Sequence, residues 1–234
     1  MRPSLIFVSL AWFIPLATPL SATLLTPGGS GAPDVYSNQT LSPIAETQGT
    51  FSFGSGAGLI SGTYVNFVIQ DPTGICPGCL DFAFQVNLNP GLSAGIFVMA
   101  IGRYFGYATD IGYVQGTGIA PISVYRGTNG GSVGFIFSAP GNTADTIGPG
   151  ESSAVFGVES DATSFDDNGV LAISGGRSDS PADGDILGVF EPTFRTPEPA
   201  SMLLLGLGLV VLPACRRKAV SRKQSRQASL KMNP

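Results

Sequence analysis

The chain has no histidine, and between residues 23 and 196 it has no lysine. Without an imidazole, Ser-His-Asp and Cys-His catalysis are excluded, as is any metal site built on histidine. Without an amine, Schiff-base and Ser-Lys schemes are excluded from that stretch. Charge of either sign is scarce at 12% of residues, well under the usual quarter. The only cations between 23 and 196 are Arg103, Arg126, Arg177 and Arg195, so this part is strongly acidic. It has no basic face with which to neutralise phosphates, which argues against nucleic acid as a partner.

Glycine and proline are plentiful instead, with 32 and 18 copies, and they favour turns and short extended segments over helices. Apolar runs recur at 51–53, 62–70, 80–88, 95–105, 112–115, 119–125, 132–138, 153–159, 169–174 and 186–190. Several alternate as half-buried strands do: Phe82, Phe84 and Val86 share one face, and Val133, Phe135 and Phe137 share another. Turn chemistry separates the runs, as in Asp71-Pro72-Thr73-Gly74, Asn89-Pro90-Gly91, Asn129-Gly130-Gly131, Pro140-Gly141-Asn142 and Asp167-Asn168-Gly169. This cadence predicts an all-β fold, a single antiparallel β-sandwich or jelly-roll-like domain over residues 49–195. Residues 93–104, whose apolar positions do not alternate strictly, are an alternative short helix. Residues 23–48 lack apolar periodicity and read as a flexible leader.

Both ends read as targeting segments. Arg2, an apolar run over 5–20 and the small pair Ser21-Ala22 form a secretory signal peptide over residues 1–22, which implies Sec export and signal peptidase as partners. Near the other end, Pro197, Glu198 and Pro199 stop any strand or helix, because proline lacks an N–H and restrains its predecessor. Residues 200–214 carry no charge and are followed by Arg216, Arg217 and Lys218 within a basic tail over 215–234. A short transmembrane helix with a stop-transfer cluster is the expected reading, its roughly 22 Å length extended by snorkelling cations. The positive-inside rule keeps the tail cytoplasmic and puts the acidic domain across the membrane.

In order and spacing, Thr196-Pro197-Glu198-Pro199-Ala200-Ser201, the Leu/Gly/Val segment and the Arg216-Arg217-Lys218 cluster resemble the sorting tag of the PEP-CTERM family of bacterial surface proteins. The resemblance covers roughly the last forty residues and departs from the pattern at Pro213 and in the tail that runs to Pro234. It implies recognition by an exosortase, with Pro197, Glu198 and Pro199 as the sorting motif. It also implies an inner-membrane intermediate with the domain in the periplasm, removal of the tail, and delivery to the cell surface or matrix of bacteria that make extracellular polysaccharide.

Inside the acidic domain, Cys76-Pro77-Gly78-Cys79 reads as a small structural disulfide, the redox alternative lacking its usual βαβ setting. Two thiolates alone do not make a metal site, and Cys215 lies in the basic tail. Asp81, Asp110, Glu151, Glu159 and Glu191 are eligible for glycosidase chemistry only as acids, since no spacing selects two of them. Asp161, Asp166, Asp167, Asp179, Asp183 and Asp185, with Asn168, offer oxygens to calcium, and Asp183 and Asp185 flank Gly184 as in a tight turn. Tyr104, Tyr107, Tyr113 and Tyr125 are candidates for stacking on sugars, and Asn38-Gln39-Thr40 matches a glycosylation pattern. No residue is assigned a catalytic role, and no cofactor is expected. The expected function is that of an exported, non-catalytic surface or matrix protein. The alternatives are a carbohydrate-binding module that holds extracellular polysaccharide and, third, a carboxylate-dependent glycoside hydrolase.

Overall fold

In the computed structural model, residues 24–36, 42–71, 75–138, 146–177 and 179–193 are described. They form twelve strands, β1 (Ser30–Gly31), β2 (Asp34–Tyr36), β3 (Pro43–Phe53), β4 (Ile60–Asp71), β5 (Cys79–Leu88), β6 (Gly95–Ile101), β7 (Thr109–Val114), β8 (Ser123–Arg126), β9 (Val133–Ile136), β10 (Phe156–Ser160), β11 (Phe165–Arg177) and β12 (Ser180–Pro192). The one helical element among them is a 3-10 turn at Gly56–Gly58. Residues 95–101 of the region weighed as a short helix are therefore strand β6.

Two six-stranded sheets result, one in the order β1-β8-β9-β6-β11-β12 and the other β2-β7-β10-β5-β4-β3. All pairings are antiparallel except β2 with β7, so the fold is a sandwich with one mixed sheet. Alternation along the strands sets the interior. Phe82, Phe84 and Val86 from β5 and Val133 and Phe135 from β9 are fully buried, as is Phe137 just beyond β9. Phe156 is the meeting point of the sheets: its ring lies 4.6 Å from that of Phe135, 5.7 Å from Phe137 and 5.9 Å from Phe84. Such offset and edge contacts add to the burial of large apolar rings.

Residues 24–36, expected as part of a flexible leader, are a strap that closes one side of the sandwich. Strand β1 pairs with β8 at the edge of the first sheet and β2 with β7 at the edge of the second. Only Ala32 and Pro33 lie between them, and three peptide steps span about 10 Å, the usual spacing of packed sheets. The strap escapes a periodicity search because its strands are two and three residues long. The remaining leader residues from Pro43 onward begin the eleven-residue strand β3. At the opposite side, the Phe53 ring lies where a β-carbon on Gly184 of β12 would sit.

Two turn signals are used differently from expectation. Asp167-Asn168-Gly169 is not a connection but an irregularity within β11, where the register against β12 shifts between Asp166 and Gly169. Asp183-Gly184-Asp185 is not a tight turn but the middle of β12, paired with Ser174, Ile173 and Ala172. A thirteen-residue partner strand outweighs the local preference of glycine and aspartate for turns.

Candidate functional site

Each element presents its acids according to strand alternation. Ile111, Val158 and Phe82 point into the core, so their neighbours Asp110, Glu159 and Asp81 point to the outer face of the second sheet. The register makes these three direct neighbours, Glu159 facing Asp110 on β7 and Asp81 on β5. Sequence separation hid this row, for its members are 29 and 49 residues apart and no local pattern unites them.

The strap completes the row. Asp34 of β2 sits opposite Gly112, and the Tyr36 ring lies across Gly112 where a β-carbon would come within 2.7 Å of it. The Tyr36 hydroxyl is buried without a hydrogen-bond partner. Burial pushes its phenol pKa well up, and the charges of Asp110, Glu159, Asp81 and Asp34 push it further. Asp110 is only 2% exposed and accepts a hydrogen bond from the Ile111 N–H at 2.8 Å. Its burial, followed by the nearby Asp34 charge, raises its pKa to about 7.

A second buried acid, Glu191, lies near the end of β12, at the opposite edge of the other sheet. Its Oε1 accepts from the Val170 N–H at 2.7 Å and the Gly102 N–H at 3.3 Å, and Arg103 stands 3.4 Å from its Oε2. Burial nevertheless raises its pKa, and the two amides and Arg103 only partly oppose that rise. Arg103 also pairs with Asp166 at 3.2 Å. With φ of 62°, Arg103 is the one non-glycine among the described residues in left-handed backbone geometry, and its two carboxylate partners hold it there. Glu191 therefore anchors a bulge and a loop.

The two nearly buried carboxylates, Asp110 and Glu191, belong to different sheets and opposite edges, so they do not flank one scissile bond. Glu151 is spent locally, its Oε2 accepting from the Gly148 N–H at 2.8 Å. Asp183 and Asp185 stand exposed on the outer face of β12, and Asp161 accepts from the Ala108 N–H at 2.8 Å. Among the described residues, no group of three or more acids or thiols is placed to hold a metal ion. Cys76 and Cys79 form a disulfide at the start of β5.

The tyrosines considered for sugar stacking are used in packing. Tyr104 and Tyr107 are buried, Tyr107 donating to the Thr193 carbonyl at 2.6 Å. The Tyr125 ring covers its cross-strand partner Gly134, and Tyr113 packs against the core.

Arg126, which no motif flagged, is a buried cation that holds three parts of the chain together. It donates to the carbonyls of Leu25 in the strap, Tyr104 and Tyr107 in the loop before β7, and Gly130 in the β8–β9 turn. Burial lowers its pKa, while the Asp161 charge opposes that.

The signal peptide over 1–22, Asn38, Pro197, Glu198, Pro199, the segment 200–214, Arg216, Arg217 and Lys218 lie outside the described residues. Among the described residues no helix is long and apolar enough to cross a membrane. No curated protein and no solved structure matches the chain. A family match falls on the carboxyl-terminal segment, where residues 195–219 fit the PEP-CTERM protein-sorting motif. The chain thus carries the sorting tag of PEP-CTERM proteins, which marks it as an exported protein, anchored in the membrane before exosortase processing.

Proposed function

We propose that this protein is an exosortase substrate whose acidic β-sandwich acts at the cell surface or in the extracellular matrix as a structural or interaction module, without catalysis. The observation that carries this reading is the sorting motif at residues 195–219. The composition of the sandwich supports it. Its described cations are Arg103, Arg126 and Arg177, and each is committed to carboxylates or carbonyls of the same chain. Among the described residues acids outnumber cations, an excess of negative charge suited to keeping a protein apart from its neighbours outside the cell.

The test is fractionation of the full chain, with an epitope placed in the exposed turn at Gly116, from cells with and without the exosortase. With the enzyme, a shortened form appears outside the inner membrane. Without it, the longer form stays in the inner membrane. Identical size and location in both strains would overturn the proposal.

A further inference from the structure

Both ends of the described chain leave the sandwich beside one loop. Strand β6 ends at Ile101 and β7 begins at Thr109. Within that connection the Tyr107 N–H donates to the Tyr104 carbonyl at 3.1 Å, closing a tight turn with Gly106 at φ of 81°. Leu25 donates to the Thr109 carbonyl at 2.9 Å, and Arg126 ties the Leu25 carbonyl to those of Tyr104 and Tyr107. From the other end of the chain, the Thr193 carbonyl accepts from the Tyr107 hydroxyl at 2.6 Å. The start of the strap and the residue after β12 therefore meet at the same turn.

Phe105 occupies a central position of that turn and is 60% exposed, and Leu24 at the start of the strap is 54% exposed. A lone exposed apolar side chain is ordinary and needs no explanation. These two are singled out by where the chain goes next. Residues 194–199 separate Thr193 from the uncharged segment 200–214, and the peptide steps between them reach at most about 25 Å. In the anchored precursor the turn is held that close to the bilayer, and the tether supplies a high local concentration in place of a search through solution. Between 102 and 108 the only charged side chain is Arg103, and it is paired with Glu191 and Asp166. Asp161, an acid beside this loop, accepts from the Ala108 N–H. The turn is fixed by its hydrogen bonds before any contact is made, so presenting Phe105 costs little ordering.

We propose that this turn is a membrane-docking tip: while the tail holds the chain in the bilayer, Phe105 and Leu24 enter the lipid interface and stand the sandwich on the membrane by the end that leads to the sorting motif. The inference rests on the membrane anchoring stated above and adds to it a face and two contact residues. The gain comes from taking an aromatic ring and an aliphatic side chain out of water at the headgroup boundary. The excess of acids over the rest of the body favours water and leaves this end as the one that meets lipid. Two side chains are too little to hold an untethered protein, since even a whole acyl chain gives only marginal binding. Removal of the tail therefore releases the tip.

The experiment uses the full chain with its one tryptophan removed by Trp12→Phe, reconstituted into phosphatidylcholine vesicles with and without bromine on the acyl chains. A single tryptophan is then placed by Phe105→Trp in the turn, by Ile122→Trp just before β8 at the end remote from Arg126, or by Leu205→Trp in the uncharged segment. Phe105 and Ile122 are both exposed, so these changes leave the core intact. Brominated lipid should lower the emission of the Phe105→Trp chain at least about twofold, quench Leu205→Trp as well, and leave Ile122→Trp unchanged. Quenching of Leu205→Trp without that of Phe105→Trp would overturn the docking tip and leave the anchoring standing. Absence of quenching in both would overturn the anchoring and the tip with it. Equal quenching of Phe105→Trp and Ile122→Trp would show that no particular face meets the membrane, which also overturns the tip. Because tryptophan itself favours interfaces, Leu24→Trp is read in the presence and absence of Phe105→Asp: its quenching should fall at least about twofold with the aspartate, and an undiminished signal would overturn the proposal.

Discussion

Arg126 shows how much one side chain can hold in a protein with little charge. Its guanidinium satisfies carbonyls from the strap, the loop at 104–107 and the turn at Gly130 at the same time. Replacing it by Met would keep the apolar stem and take the guanidinium donors away from the Leu25, Tyr107 and Gly130 carbonyls, while Tyr104 would still accept from the Tyr107 N–H at 3.1 Å. Each buried unsatisfied group costs about 1 to 3 kcal/mol, so Arg126→Met should lose at least about 3 kcal/mol in urea unfolding. A loss below about 1 kcal/mol would mean that water replaces the guanidinium. Asn66 is the matching case on the other side of the core. It is fully buried, accepts from the Phe190 N–H of the opposite sheet at 2.5 Å and donates to the Ala83 carbonyl at 3.2 Å. Asn66→Leu has nearly the same size and neither polar group, and it should cost about 2 kcal/mol. Neither residue was legible as important in the sequence. A lone Arg and a lone Asn in strand-like runs look like surface residues until the opposing backbone is in place.

Among the elements, the disulfide and the bulge differ in how far their sequence signals carried. Cys76 and Cys79 close a loop of only a few residues, and the entropy removed from the unfolded chain by so short a loop is worth about 2 kcal/mol at most. The joint change Cys76→Ser and Cys79→Ser should lower stability by no more than that. It should leave the β4–β5 pairing intact, since ten residue pairs fix its register. Loss of the β4 and β5 amide protection in that variant would show the disulfide to be a folding requirement instead. The bulge at Asp166 to Gly169 carried a sequence signal of the right kind and the wrong meaning. Asp-Asn-Gly prescribes a local departure from extended geometry, but whether the chain reverses or merely kinks depends on the strands beside it. Here β12 runs alongside throughout, and Glu191 fills the kink by accepting from the Val170 N–H.

For the molecule as a whole, two acids that ionise reluctantly make stability fall with rising pH. Burial raises the pKa of both Asp110 and Glu191 in the folded state. Such groups stabilise the fold below their unfolded pKa values, near 4, and that contribution is lost as pH rises through the folded ones. The thermal midpoint should therefore decline between pH 5 and pH 8, and the decline should shrink in Asp110→Asn. A midpoint that stays level or climbs over this interval would show that the two carboxylates are already ionised at pH 5, as ordinary surface acids are. The growing negative charge of the surface works in the same direction, and added salt should soften that part of the trend.

Composition and spacing determined the strand-rich class, the apolar faces of β5 and β9, the cysteine pair and the carboxyl-terminal tag. All of these are local: a run of alternating residues or a short contiguous motif carries its own physical cause. Tertiary structure alone decided that the expected leader is a strap, that Tyr104 and Tyr107 are interior, and that Asp34, Asp81, Asp110 and Glu159 share one face. Those facts depend on which strands lie side by side. Alternation says only that a residue points away from the core, whereas register, set by the pairing of distant segments, says which other charges it must meet there.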